Sequence, residues 1–206
     1  MLKVAVVDSG INADHSHIGK VGGGISFVSE AWNDLIGHGT AVAAAIHDHE
    51  PRVELYAVKI FDRSFSTDIQ AVVKALDWCV DHDMDVVNLS LATAKVSHGE
   101  LLREVSQRVK ILVAPCEFIG LPAFPGSFPW AFGVHGDPSC ARNEVRPGPH
   151  GNYLASPLPR TLPGLAAEQN FAGSSFAVAN FTGVLCRRML DQGVTSAEAL
   201  RQGLSE

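Results

Sequence analysis

Gly173-Ser174-Ser175-Phe176-Ala177-Val178-Ala179 runs on into Asn180-Phe181-Thr182-Gly183-Val184, and the rest of the chain is organised around this segment. A tight Gly-Ser-Ser turn feeds directly into an apolar helical run. Such a turn can hold a serine hydroxyl at the N-terminus of a helix, where unpaired N–H groups and the positive end of the dipole face whatever the hydroxyl attacks. Taken alone, the turn reads more readily as a plain N-cap. Two upstream stretches change that. Val4-Ala5-Val6-Val7-Asp8-Ser9-Gly10 is a buried β-run ending on a carboxylate, and Gly37-His38-Gly39-Thr40-Ala41-Val42 sets a histidine at the mouth of a small-residue helix. An Asp, a His and a Ser, in that chain order, are the parts of a nucleophilic triad.

The order Asp, His, Ser is that of subtilisin, and the sequence resembles the subtilisin-like serine protease (subtilase) family. Asp8-Ser9-Gly10 matches its Asp motif, Gly37-His38-Gly39-Thr40 its His motif, and Gly173-Ser174-Ser175-Phe176-Ala177 its Gly-Thr-Ser-x-Ala motif. The resemblance covers nearly the whole chain. It implies a subtilisin-like three-layer α/β fold with a mostly parallel central sheet and helices on both faces. One trimmed catalytic domain is expected over residues 1–206, departing from the family in lacking the N-terminal propeptide that its members commonly carry.

Composition agrees with a single domain, since the apolar fraction of 46% is ample for a sizeable core. A formal charge of −6 argues against nucleic acid as a partner. No apolar stretch is long enough to span a bilayer, and no signal peptide precedes the first strand. Cys79, Cys116, Cys140 and Cys186 lie far apart without zinc spacing, and three of them have apolar surroundings. We expect buried free thiols, with two disulfides as the other reading. Together these features predict a cytoplasmic location.

Hydrophobic periodicity predicts strands over residues 2–7, 25–28, 53–60, 85–91, 109–114 and 130–134. Gly22-Gly23-Gly24 is expected as a loop leading into the second of these. It precedes a strand rather than a helix, so it is not expected to cradle phosphate. Helices are expected from His38, from Thr67 or Asp68 as cap, and from Ser97-His98-Gly99-Glu100 and Thr195-Ser196-Ala197-Glu198 as capping boxes. His47 and His49 are expected at the surface of the first helix. His15 and His17 stand in a polar loop and are expected to be solvated rather than metal-bound. Residues 138–164 read as irregular, with room for one short hairpin. Strands alternating with helices imply a parallel sheet covered on both faces.

The chemistry follows from the three motifs. Ser175 is the expected nucleophile and needs a neutral imidazole to take its proton. His38 is that base: of nine histidines, it alone is flanked by glycine on both sides at a helix start. Asp8 would fix its tautomer and stabilise its charged form. By resemblance, Asn88-Leu89-Ser90-Leu91-Ala92 is the segment that pairs with extended substrate, so Ser90, Leu91 and Ala92 are expected to bind it. Ala92 and Thr93 stand where the family has glycines. Phe124-Pro125-Gly126 resembles the family's aromatic-Pro-Gly segment beside the specificity pocket, and the Phe124–Pro125 bond is expected to be cis.

The departures bear on activity. Cys116 occupies the place of the Asn that donates to the oxyanion, and a thiol is a weak donor. Loss of one such donor costs on the order of 10² to 10³ in turnover. The helix insertion that helps to build the family's strong calcium site is absent, so no metal or other cofactor is expected. The expected function is a serine endopeptidase or specialised peptide-processing hydrolase acting on an extended peptide or protein substrate. A separate propeptide or inhibitor chain is a further partner to consider. The alternative is a peptide-binding pseudoprotease with little turnover.

Overall fold

A computed structural model of the chain describes residues 1–162, Gly164 and residues 170–205. Pro163, within the irregular stretch of the sequence reading, lies outside them. The first strand, β1 (Lys3–Asp8), shows how the layers arise. Its side chains alternate: Val4 and Val6 enter one apolar core while Ala5 and Val7 enter the other. A strand buried on both faces sits in the middle of a sheet.

Seven strands form the parallel part of that sheet: β2 (Val21–Ser26), β3 (Glu54–Lys59), β1, β4 (Val86–Leu89), β5 (Leu112–Pro115), β8 (Phe132–Gly136) and β10 (Tyr153–Ala155), in this spatial order. The strand β9 (Val145–Pro147) closes the edge antiparallel to β10, which is the short hairpin expected between residues 138 and 164. A separate two-stranded hairpin, β6 (Glu117–Phe118) and β7 (Leu121–Pro122), projects beyond β5.

Helices cover both faces. On one side lie α1 (His38–His49), α4 (Ser174–Gln192) and α5 (Ala197–Ser205), contributing Val42, Ile46, Phe176, Phe181, Met189 and Leu200 to their core. On the other lie α2 (Ile69–Asp81) and α3 (Val96–Arg108), contributing Val72, Leu76, Leu102 and Val105. Each such side chain, fully buried, contributes roughly 1.5–3 kcal/mol of transfer free energy. The three-layer α/β expectation therefore holds. All four cysteines are free and buried. Among the described residues, no helix is long and apolar enough to cross a membrane.

Several local expectations need correction. Gly22, Gly23 and Gly24 belong to β2 rather than to a loop before it. The register against β3 shifts between Val21 and Gly23, and a Cβ at Gly24 would stand 2.9 Å from both Ala57 Cβ and Trp32 Cγ. The glycines mark a bulge and a close approach. The predicted strand over 85–91 leaves the sheet after Leu89. The Ser97 capping box does not form: α3 starts at Val96, and its cap residue Lys95 makes no side-chain cap bond. At α5 the cap is Ser196, whose Oγ accepts from the Ala199 N–H at 3.2 Å, rather than Thr195. Asp68 caps α2 as expected, accepting from Gln70 N–H.

His49 is the largest local surprise. It is buried, and its Nε2 lies 2.9 Å from Asn180 Oδ1 on α4. Asn180 donates both amide protons to the carbonyls of Ser156 and Leu158, so its oxygen must accept and His49 must donate through Nε2. The two helices touch because α4 carries Gly183, where a Cβ would stand 2.7 Å from His49 Cβ. That approach takes His49 out of solvent.

Candidate active site

Three elements converge at the carboxyl edge of the sheet, where open α/β sheets place their sites. Asp8 is the last residue of the central strand β1 and is fully buried. A buried carboxylate needs partners. Asp8 accepts the Ser9 N–H at 2.6 Å and holds His38 Nδ1 at 2.9 Å from each of its oxygens. A carboxylate only accepts, so the imidazole proton sits on Nδ1 and Nε2 is left as the acceptor.

His38 is the first residue of α1, between two glycines. Gly39 cannot be larger: a Cβ there would overlap the Gly10 carbonyl oxygen and stand 3.2 Å from Asp8 Cβ. Three aromatic rings meet the imidazole edge to face, Phe65 at 5.1 Å, Phe176 at 5.3 Å and Phe171 at 5.8 Å. Phe65 lies on the loop after β3. That loop is anchored by Lys59, whose buried ammonium pairs with Asp62 at 3.0 Å and donates to the Asn33 carbonyl at 2.9 Å.

Ser175 is the second residue of α4, partly exposed, at the positive end of a helix of 19 residues. Its Oγ donates to the Ser90 carbonyl at 3.4 Å, and no hydrogen bond joins it to His38. Ser90 is held through its side chain. Asn88 donates to Ser90 Oγ at 3.1 Å and accepts from Thr182 Oγ1 of α4 at 3.0 Å, tying the end of β4 to the helix that carries Ser175.

His38, Ser175, Ser90, Leu91 and Ala92 line one open cleft of about 350 Å³, with Phe65, Phe118 and Phe171 on its walls. Cys116 lines the adjoining cavity of about 420 Å³ with Ser127, His135 and Asn152, while Pro115 and Glu117 line the Ser175 cleft. Burial pushes the Cys116 thiol up to about 12, so it stays protonated at neutral pH. Phe124 and Thr93 form an antiparallel bridge, and the Phe124–Pro125 bond is cis, as expected. Gly126 packs against β5, where a Cβ would stand 2.8 Å from the Ala114 carbonyl oxygen. His15 is exposed and His17 half-buried, their rings 5.0 Å apart. Among the described residues, no group of three or more His, Cys, Asp or Glu side chains is placed to hold a metal ion.

The sequence reading missed Asp34, Ser9 and Lys59. Asp34 carries the densest polar network at the site. Burial opposes its ionisation, but hydrogen bonds from Thr40, Gly37 and Ile36 outweigh that and hold its carboxyl below the usual range. The available signal was its place four residues before His38.

Residues 1–114 match the model of the Subtilase family, peptidase S8, a span that includes Asp8, His38 and Ser90. The chain belongs to the subtilase family. Over 101 residues it is 40% identical to Subtilisin DY of Bacillus licheniformis, a match covering 44% of this chain and 36% of that protein. Among solved structures, a cold adapted subtilisin-like serine proteinase superposes with a TM-score of 0.76 at 18% identity, covering 98% of this chain and 80% of that one. A lanthipeptide protease superposes with a TM-score of 0.74 at 15% identity, covering 98% and 78%. These two likenesses speak for the fold. The chain's matches span 19% of the Minor extracellular protease Epr of Bacillus subtilis and 37% of the subtilisin of Bacillus pumilus. Ser175 at the start of α4 lies beyond the span that the family model matches.

Proposed function

We propose that this subtilase is a serine endopeptidase or specialised peptide-processing hydrolase in which Asp8, His38 and Ser175 act together. The observation that carries the reading is the buried Asp8 carboxylate holding His38 Nδ1 at 2.9 Å, with Ser175 on the same cleft. In the proposed cycle Ser175 Oγ adds to the carbonyl carbon of the substrate while its proton passes to His38 Nε2. Collapse breaks the C–N bond, and the leaving amine takes that proton. Water then attacks the acyl ester with His38 again as base, restoring the serine. The serine hydroxyl must turn from the Ser90 carbonyl toward His38, as hydrogen bonds of unliganded sites tighten when substrate arrives.

The substrate runs in extended form past Ser90, Leu91 and Ala92, which lie beyond the end of β4, where the Ser90 N–H already donates to the Val7 carbonyl and main-chain pairing falls to Leu91 and Ala92, and past Phe124, Pro125 and Gly126. The oxyanion is served by the Ser175 N–H, with Cys116 at the place of the family's amide donor. A processing role is in keeping with the lanthipeptide protease among the structural neighbours.

A second reading, a peptide-binding module with little turnover, draws on the Ser175–Ser90 hydrogen bond and on Cys116. Pre-steady-state hydrolysis of an extended peptide ester separates the two. We expect a burst of alcohol product equal to the enzyme present, followed by turnover, and neither in Ser175→Ala. Saturable ester binding without product would favour the second reading. Cys116→Asn should raise kcat with KM unchanged, by up to roughly 10²-fold if the amide reaches the oxyanion. A lower kcat in folded protein would place the donor elsewhere.

A further inference from the structure

The residue before α1 is Gly37, which has no side chain to cap the helix, and its φ is 91°. His38 therefore stands between two glycines, so neither residue flanking it in the chain has a side chain to hold its backbone. The N–H groups of its first turn are met from outside the helix. Ser9 Oγ accepts from Gly39 N–H at 2.9 Å, and Asp34 Oδ2 accepts from Thr40 N–H at 2.8 Å and Thr40 Oγ1 at 2.6 Å. Asp34 Oδ1 accepts from Ser9 Oγ at 2.8 Å, Ile36 N–H at 3.0 Å and Gly37 N–H at 2.8 Å. A carboxylate offers about four acceptor sites and no donor, and here both oxygens are shared among several donors.

Ser9 is the link to the reacting groups. Its N–H binds Asp8 Oδ1 at 2.6 Å, while its hydroxyl joins Asp34 to Gly39. Because Asp34 only accepts, the Ser9 proton must point at it, leaving a lone pair for Gly39. The strand end that carries Asp8 and the helix start that carries His38 are thus fixed to each other through one carboxylate. We propose that Asp34 is a positioning residue for His38, acting through Ser9 and the first turn of α1. The proposal rests on the reading of Asp8, His38 and Ser175 as the hydrolytic machinery. Asp34 touches neither the reacting atoms nor the cleft around Ser175; its effect is on where the imidazole sits. Misplacement of a catalytic group by about 1 Å can cost on the order of 10² in rate.

The test uses Asp34→Ala, Asp34→Asn and Ser9→Ala in the full chain. Peptide-ester kinetics and the proton NMR signal of His38 Nδ1–H are read below each variant's melting temperature. Asn keeps one acceptor oxygen but turns donors toward Thr40 N–H. We expect kcat to fall about 10²-fold in Asp34→Ala and less in Asp34→Asn, with KM changed by less than about threefold. The Nδ1–H signal should broaden in the same order. Loss of stability alone would leave that signal sharp and the kcat of the folded fraction unchanged. Folded Asp34 variants with the parent's kcat and a sharp signal would overturn the proposal. If Asp34→Ala and Asp34→Asn do not fold, Ser9→Ala, which removes one hydroxyl from the relay, decides by the same two readouts. A parent enzyme that neither turns over nor acylates at Ser175 would sink the hydrolytic reading instead. The NMR signal in parent and variants would then still report whether Asp34 positions His38.

Discussion

At the scale of single residues, the buried Asp8, His38 and Asn88 are oriented by hydrogen bonds, while the partly exposed Ser175 hydroxyl is the group that must turn. Asp8 fixes the His38 tautomer, and Asn88 holds the hydroxyl of Ser90, the residue whose carbonyl Ser175 touches. Gly39 permits the approach of α1 to the end of β1. Gly39→Ala should therefore push His38 away from Asp8 and lower kcat by at least about 10²-fold; parent-like ester hydrolysis by this variant would mean that the contact is not needed. The protonated Cys116 thiol gives a second prediction. With its ionisation pushed up to about 12, it should react slowly with iodoacetamide at neutral pH, and hydrolysis should survive the treatment. Rapid inactivation that maps to Cys116 would contradict the burial seen here. That Asp8 would meet His38 and that Ser175 would share its cleft was legible because each sits in a short motif with glycine or serine beside it. Asp34 was not, because three of its five donors are backbone N–H groups, and the Ser9 and Thr40 hydroxyls reach it only in the folded chain.

At the scale of elements, α1 and α4 carry the base and the nucleophile, so their packing matters twice. Gly183 lets them meet: a Cβ there would stand 3.0 Å from the Ile46 carbonyl oxygen as well as against His49. Gly183→Ala should destabilise the fold by about 1–3 kcal/mol, read from urea unfolding, as overpacking of a tight contact does. A neutral substitution would show that the helices part easily. Burial is the main cause that lowers the pKa of His49, against the Asn180 hydrogen bond that raises it. The unfolded chain then binds the proton more readily than the folded one. Stability should be full above the unfolded value of about 6.5 and fall as pH drops below it toward the folded value. His17 and His47 are shifted the same way, so His49→Gln should flatten this acid limb without abolishing it. A melting temperature independent of pH across that window would refute the linkage. Helix existence and most strands were legible from periodicity. The surface position expected for His49 was wrong because helical spacing shows which face is apolar, not where a glycine on a distant helix lets a polar ring be covered.

At the scale of the whole molecule, the eight-stranded sheet and the α-helices that cover it among the described residues bring residues 8, 38 and 175 to one sheet edge. The alternation of strand and helix made the three layers legible, because a strand apolar on both faces demands cover on both. The sheet order, with β1 between β3 and β4, was not legible, since pairing depends on crossovers rather than on local pattern. Metal does not enter this account of stability, so a chelator should leave the melting temperature unchanged, and a large drop would show ligands the sequence reading overlooked. The central claim is that Ser175 is a nucleophile activated by His38 and Asp8. Its most direct test is reaction of the folded protein with a serine-directed fluorophosphonate, followed by mass spectrometry. The account predicts one stoichiometric adduct on Ser175, absent from Ser175→Ala and strongly slowed in His38→Ala. No adduct in folded protein, or an adduct on another residue, would contradict it.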